Sequence, residues 1–487
     1  MRRRHYALPL LLALLLALSL AVLAEAGRWV NSAREQVELR QTVLFGDAAA
    51  AEGLTASWRV QSQHRLFWAL EADLGGPEPE AEVSFRLAPG MEFSQAAWTS
   101  MYLHYAGYAY SISNNTEALS DLETAYGDLL LRPALDVAGR TGRGEKRTER
   151  VALGDYYETM PLQLSLQTET GYYSSGGAGD DKEFLADLFR APVPEGAELE
   201  ITVQKSGDLV KRVESTVVEQ MEVTDSGTTI RYDLEAPYLG AFSDRRVYLL
   251  LLEEAGGEVR PHRGRDGAGI YVLPFDEGEE VPMSNRSYWE LDRSGAGLLC
   301  PAEDWGEPLA LTLSADQEKL LLLTWAEGEL TLHVYDAAGG RLLQRLALPG
   351  TEAGAASWER GLPLVYPSEG FLLVGAFNGD FCLLEESDAG YVPAVSGCLA
   401  VQVEQDGAVY RTEGSCLLED GMSAVWDGER LAWTAPGWGS GFYLAVADRE
   451  GLAYLGRYTT SMDRELGDGN YRTEAETLTV GPPERAS

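Results

Sequence analysis

The sequence predicts an all-β fold of four-stranded antiparallel sheets behind one apolar N-terminal helix. Three observations carry that expectation. One long apolar run lies near the N-terminus, short segments of alternating apolar and polar residues fill the first half, and a strand-and-turn pattern repeats through the second.

Arg2, Arg3 and Arg4 precede the apolar run Leu8 to Leu23, and the triplet Ala24-Glu25-Ala26 follows it. Positive charge ahead of an apolar run holds the N-terminus in the cytoplasm, so the rest of the chain is translocated. Two fates compete. The triplet has the small-x-small form that signal peptidase cuts, which would give a protein secreted after cleavage at Ala26. Against this, Ala7 to Ala26 holds one charge, Glu25, in 20 residues, and about 20 residues span the hydrocarbon core. A Leu and Ala run this long exceeds the roughly 7–15 residues of a signal h-region. The expectation is a signal anchor over residues 1–26, single-pass in the cell membrane, with the C-terminal domain outside.

Residues 27–53 read as a helical stalk, because Val30, Ala33, Val37 and Val43 or Leu44 recur at helical spacing between Trp29 and Phe45. Gly46-Asp47 and Glu52-Gly53 end it, and from Leu54 the period turns to two. Residues 54–240 form an irregular β-rich region. Its candidate strands are Ala56 to Val60, Leu66 to Ala72, Glu82 to Leu87, Met101 to Tyr110, Leu162 to Thr168, Glu198 to Gln204, Glu214 to Val223 and Thr228 to Leu234. Leu131 to Asp155, with Gly139-Arg140-Thr141-Gly142-Arg143-Gly144, has the composition of a long exposed loop, and Ser174 to Asp181 of a second. Lys182 to Phe189 could share one apolar helical face.

Residues 241–480 are more regular. Leu309 to Leu313, Lys319 to Trp325, Glu329 to Tyr335 and Arg341 to Leu348 are four strands separated by the turns Ser314 to Glu318, Ala326-Glu327-Gly328 and Asp336 to Gly340. Gly370 to Ala376, Gly379 to Glu385 and Tyr391 to Val395 repeat three of them, as do Arg430 to Thr434, Phe442 to Ala447 and Leu452 to Tyr458. The second strands begin near Leu320, Phe371 and Leu431, 51 and 60 residues apart. Arg246 to Glu253 with Gly269 to Pro274 has the same form; residues 481–487 are a tail. A meander of about this length is the blade of a β-propeller. In this repeat architecture the chain resembles membrane-anchored extracytoplasmic β-propeller proteins. At about 50 residues per unit the resemblance implies seven or eight irregular blades. The alternative is a β-sandwich domain, Ala56 to Pro237, beside a smaller propeller-like domain. No WD, kelch or NHL signature recurs at matching positions, so no functional residue carries over.

With 76 acidic against 39 basic residues the chain carries −37. Such a surface repels nucleic acid, keeps an exported domain soluble, and forms no metal loop. Cys300, Cys382, Cys398 and Cys416, spaced 82, 16 and 18 residues apart, match no zinc or CxxC pattern. They read as buried thiols, although Cys382–Cys398 or Cys398–Cys416 could bridge neighbouring strands.

Chemistry is sparse. His5, His64, His104, His262 and His333 stand singly, and His333 alternates with Leu332 and Val334 as a packed strand residue does. There is no GxSxG elbow, since Gly437-Trp438-Gly439-Ser440-Gly441 sets its serine out of register, and no phosphate loop or Rossmann glycine pattern. Glu253-Glu254, Glu279-Glu280 and Glu385-Glu386 read as solvated turns, and Asp463 to Asn470 lacks the spacing of a calcium loop. Aromatic residues are the remaining signal: His104 lies among Tyr102, Tyr105, Tyr108 and Tyr110, and Trp433 and Trp438 flank a glycine-rich turn. Exposed rings of this kind stack on sugars or peptides, so His104, Tyr105, Tyr108, Trp433 and Trp438 are the candidate ligand contacts. The sequence thus points to a binding or scaffolding protein of the cell envelope, anchored in the membrane, with an envelope protein or glycan as partner and no cofactor. The alternative is an envelope hydrolase acting on glycan or peptide, its carboxylates converging only in three dimensions.

Overall fold

The computed structural model describes residues 7–62, 66–75, 79, 81–87, 100–105, 109–117, 128–159, 162–168, 171–175, 179–193, 196–217, 220–224, 227–231, 237–243, 245–255, 258–280, 287–348, 364–375, 380–387, 390–398, 402–405, 408–411, 423–437, 440–462, 472–473 and 479–481. Strands dominate them, and the fold class is all-β, built largely from propeller-type antiparallel meanders behind an apolar N-terminal helix. The chain forms two compact units, one of Met1–Ala96 with Leu348–Ser487, the other of Ala97–Ala347. The first unit thus joins two stretches far apart in sequence.

In the first unit, helix α1 (Ala7–Arg34) runs past the apolar stretch without a break. The expected stalk helix stops there, because Leu39–Gly46 is a strand, β1, paired antiparallel with Gly451–Thr460. Hydrogen bonds to a strand some 400 residues away override a helical spacing that four apolar residues alone cannot enforce. With Ser423–Trp426, Leu431–Pro436, Phe442–Asp448 and Gly451–Thr460, β1 completes a five-stranded sheet. The reverse exchange also occurs. Strands β2 (Thr55–Ser62), β3 (Leu66–Asp73) and β4 (Ala81–Leu87) form a meander whose β2 edge accepts Arg472–Thr473 and Thr479–Gly481 from the C-terminal end. Each end of the chain thus completes a sheet begun by the other. Leu364–Ser368, Phe371–Gly375, Asp380–Ser387 and Gly390–Cys398 make a further meander. Trp58, Trp68, Phe442, Tyr454 and Tyr458 fill one core of this unit, and Phe371, Phe381 and Trp433 a second.

The second unit contains the repeat most legible in the sequence, Glu307–Leu313, Lys319–Ala326, Glu329–Asp336 and Leu342–Ala347 in consecutive order. Glu327 and Gly328, at φ +52° and +88°, form the two-residue hairpin between the middle strands. Both central residues of such a turn need positive φ to match the strand twist. Leu320 to Leu323 are all buried, so this central strand is a continuous apolar run without alternation. Tyr238–Ser243, Arg246–Ala255, Gly267–Glu280 and Gly297–Pro301 form a second meander. The remainder differs from a blade. Ala109–Glu117, Leu209–Val217, Glu198–Ser206 and Lys146–Ala152 form a four-stranded sheet against which helix α2 (Asp128–Arg140) packs with Ala134, Val137 and Ala138.

That helix and the strand Lys146–Ala152 overturn the long exposed loop expected over Leu131 to Asp155; the polar turn is confined to 141–145. Helix α3 (Gly179–Phe189) fulfils the short helical expectation but begins earlier. Ser175 and Asp181 are buried, against the exposed segment expected there, because Asp181 accepts hydrogen bonds from Tyr173 Oη (3.0 Å) and Arg293 Nε (2.8 Å). Cys300 and Cys382 are buried free thiols. Cys382 stands opposite Ser396 and Cys398 opposite Asp380, so the bridge considered for Cys382 and Cys398 is not formed. Cys416 lies outside the described residues, as do His5, His64 and Asp463 to Asn470.

Candidate functional site

The feature with the clearest chemistry is α1 and its junction with the β2–β4 sheet. Leu14, Leu16, Leu18, Leu20, Val22 and Leu23 are each 58–67% exposed, and among the described residues none of the span Leu14–Arg34 is buried. An apolar surface this long is stable only in lipid or against another apolar surface. Trp29 is 73% exposed just beyond the leucines.

The lower end of the helix is fixed. Trp68 Nε1 donates to the Arg34 carbonyl oxygen at 3.0 Å, satisfying one of the acceptors that a helix end leaves open. The Arg34 guanidinium lies 4.9 Å from the Phe85 ring centre, and the Trp68 and Phe85 rings are 5.1 Å apart. The Phe85 backbone N–H donates to Glu35 Oε1 at 3.3 Å. Three residues beyond Glu35, Glu38 and Ser461 bond twice, Glu38 N–H to Ser461 Oγ at 3.1 Å and Ser461 N–H to the Glu38 carbonyl at 2.9 Å. Gln41 Nε2 then donates to the hydroxyls of Tyr454 (2.6 Å) and Tyr458 (3.0 Å), which meet each other at 3.1 Å. Burial pushes the Tyr458 phenol above its ordinary range, so it stays neutral and able to share these bonds.

The β2–β4 sheet also bears a concave polar face, a cavity of about 550 Å³ bounded by Ser57, Arg59, Glu71, Glu82 and Ser84 over Ala69. Arg59 stands opposite Ala69, and Ala69 opposite Ser84. Glu71 stands directly opposite Glu82. Like charges so placed repel. The alternation in Ser57-Trp58-Arg59 and Ala69-Leu70-Glu71 held this signal, but only the strand register shows which residues meet.

The residues singled out from the sequence divide between the units. His104 and Tyr105 lie on the strand Ser100–Tyr105 of the second unit, opposite Gln163 and Leu162, with Tyr102 60% exposed beside them. Trp433, in the first unit, is fully buried and packs on Phe381 at 5.2 Å between ring centres. It is a core residue, since a ring closed to solvent offers no stacking surface. Its indole N–H has no hydrogen-bond partner among the described residues. Tyr108 and Trp438 lie outside the described residues.

Two histidines of the second unit, His262 and His333, are tied into its packing. His333 is buried, with Nε2 2.9 Å from Thr324 Oγ1. Burial, reinforced by the charge of Arg345, lowers its pKa to about 4, so its imidazole is neutral. His262 joins Glu253 Oε2 (2.8 Å) to the Phe189 carbonyl (2.9 Å) at the end of α3. Burial alone would raise the Glu253 carboxyl, but hydrogen bonds from His262 and Arg260 outweigh it and hold the group below its usual range. Among the described residues no group of three or more His, Cys, Asp or Glu is placed to hold a metal ion.

No family model matches the chain, and no curated protein matches its sequence. Several solved structures are matched along much of the chain at low similarity. A Bacteroides uniformis protein classed with the 6-phosphogluconolactonases is 10% identical, with 82% of this chain and 94% of that one covered and a TM-score of 0.28. TolB from Acinetobacter baumannii is 11% identical over 88% of this chain and 83% of its own, at a TM-score of 0.21. A Trypanosoma rangeli sialidase in complex with sialic acid is 11% identical over 65% of this chain and 54% of its own, at 0.22. Superpositions of this quality carry nothing about function, and the fold class rests on the strand topology.

Proposed function

We propose that the chain is an extracytoplasmic binding or scaffolding protein of the cell envelope, held in the membrane by α1 with its N-terminus cytoplasmic. One observation carries this reading: a helix whose described apolar side chains are exposed, long enough to cross a bilayer, runs directly into a β unit to which its last residues are bonded. A helix meant only for export needs no such docking. The strand of His104 and Tyr105, with Tyr102 open beside them, and the concave β2–β4 face are the surfaces proposed to meet an envelope protein or glycan.

The test is cross-linking on intact cells, followed by recovery of the protein and identification of what is attached. A single recurrent envelope protein or intact glycan supports the reading. Recovery of only shortened glycan or peptide fragments would replace it with a hydrolase.

A further inference from the structure

We propose that α1 leaves the bilayer as a rigid extension of the β2–β4 sheet and holds that sheet against the outer headgroup layer, rather than trailing the β unit on a flexible tether. The inference rests on reading α1 as a retained anchor.

Its first support is the absence of a hinge among the residues that join helix to sheet. Arg34 is held by Trp68 and Phe85, Glu35 by the Phe85 N–H, Glu38 by Ser461 on both its N–H and carbonyl, and Leu39 opens β1 opposite Thr460. The Val37 N–H also bonds the Glu35 carbonyl at 2.9 Å, closing the short link. Freedom between two bodies requires a few residues whose dihedrals can change without losing contacts, and Gly/Ser-rich tethers provide it. Residues 34–39 contain neither glycine nor serine, and nearly all of them are bonded.

The second support is distance. Trp29 marks the level of the interface. From there to Arg34 the helix advances five steps, about 8 Å at 1.5 Å per residue. The Phe85 and Trp68 rings that receive Arg34 thus lie within about one headgroup layer of the lipid, and no long stalk lifts them away.

The third is charge. Residues 25–46 carry Arg28, Arg34 and Arg40 against Glu25, Glu35 and Glu38, whereas the whole chain carries −37. Arg28 and Glu25 pair at 3.0 Å, and Arg40 and Glu38 at 3.0 Å. A juxtamembrane segment of zero net charge is not driven from an anionic leaflet, as the rest of this acidic surface would be.

The experiment places the full-length protein in vesicles of phosphatidylcholine and phosphatidylglycerol carrying a headgroup acceptor dye. A donor sits at Ser84→Cys on the exposed β4 strand, in a background with Cys398→Ser and Cys416→Ser. A comparison chain carries a Gly-Ser insert of about ten residues between Asn31 and Ser32, which leaves apolar span and junction intact and adds roughly 15–20 Å of reach. A second comparison, Trp68→Phe with Glu35→Ala, loosens the junction without lengthening the chain. The expected result is strong energy transfer in the native sequence, falling roughly twofold or more with the insert and by less in the double variant, at equal membrane-bound fraction. Equal transfer in native and insert chains overturns the rigid junction while leaving the anchor standing. A native chain that does not co-sediment with vesicles overturns both.

Discussion

Protonation of His333 should cost the second unit a defined amount of stability, and a direct measurement can contradict this. The ring is 2% exposed on the strand Glu329–Asp336, faces Leu322 on one side and Arg345 on the other, and lies 6.4 Å from the Trp305 ring. Burial first, and Arg345 second, lower its pKa from 6.5 to about 4. Because the folded value is below the unfolded one, the contribution is fully present above about pH 6.5. It is lost as pH falls from there through about 4, since between the two values the unfolded chain has taken up the proton and the folded chain has not. At 1.36 kcal/mol per unit, the loss is about 3 kcal/mol. His333→Gln keeps a polar group near Thr324 but cannot titrate. The difference in unfolding free energy between the native protein and this variant, from urea titrations at steps between pH 7 and pH 4, should change by about 3 kcal/mol; the titration of other carboxylates cancels. Proton NMR checks the premise directly. With five histidines in the chain, the C2–H resonance absent from the variant belongs to His333 and should remain at its neutral position down to about pH 5. A resonance that titrates near 6.5, or a difference that stays flat with pH, would show that His333 is not held neutral by its burial.

Other outcomes follow from the same packing. Gln41→Leu removes the donor shared by Tyr454 and Tyr458, leaving two buried hydroxyls with only each other; a loss of about 1–3 kcal/mol in urea unfolding is expected. Stability contributed by the Glu253 carboxylate, held by His262 and Arg260, is present above its unfolded pKa of 4.5 and lost as pH falls through the lower folded value, so Glu253→Gln should flatten that acid limb. Burial pushes the thiols of Cys300 and Cys382 up to about 12, so a maleimide should spare both in the native protein and label both in urea; mass spectrometry of peptides reads this, and native labelling of either would contradict their burial. Trp433→Ala should cost about 3–5 kcal/mol through the cavity it leaves beside Phe381, read by thermal unfolding.

The fold is legible in the sequence where its contacts are local. The hairpin at Glu327-Gly328, the four strands from Leu309 to Leu348 and the apolar helix all depend on residues within about ten positions of each other. Misreadings arise where a distant partner decides. Val37, Val43 and Leu44 fit a helix until Gly451–Thr460 supplies backbone hydrogen bonds, and nothing near residue 40 announces that partner. In Leu131 to Asp155 the glycines and arginines outweighed Ala134, Val137 and Ala138, whose spacing of three and four is a helical core signal that could have been used. The candidate site was harder to see. Trp433 looked available beside a glycine-rich turn but fills a core, and the Glu71–Glu82 pair becomes visible only once the β3–β4 register is known.

The most direct test of the anchored reading is the N-terminus and location of the mature protein. Cells producing the full chain are separated into culture fluid, soluble and membrane fractions, the membranes are washed with alkaline carbonate, and the intact mass is determined. A carbonate-resistant membrane protein whose mass includes α1 is the expected result. A soluble species beginning at Gly27 would contradict it and make the chain a secreted protein.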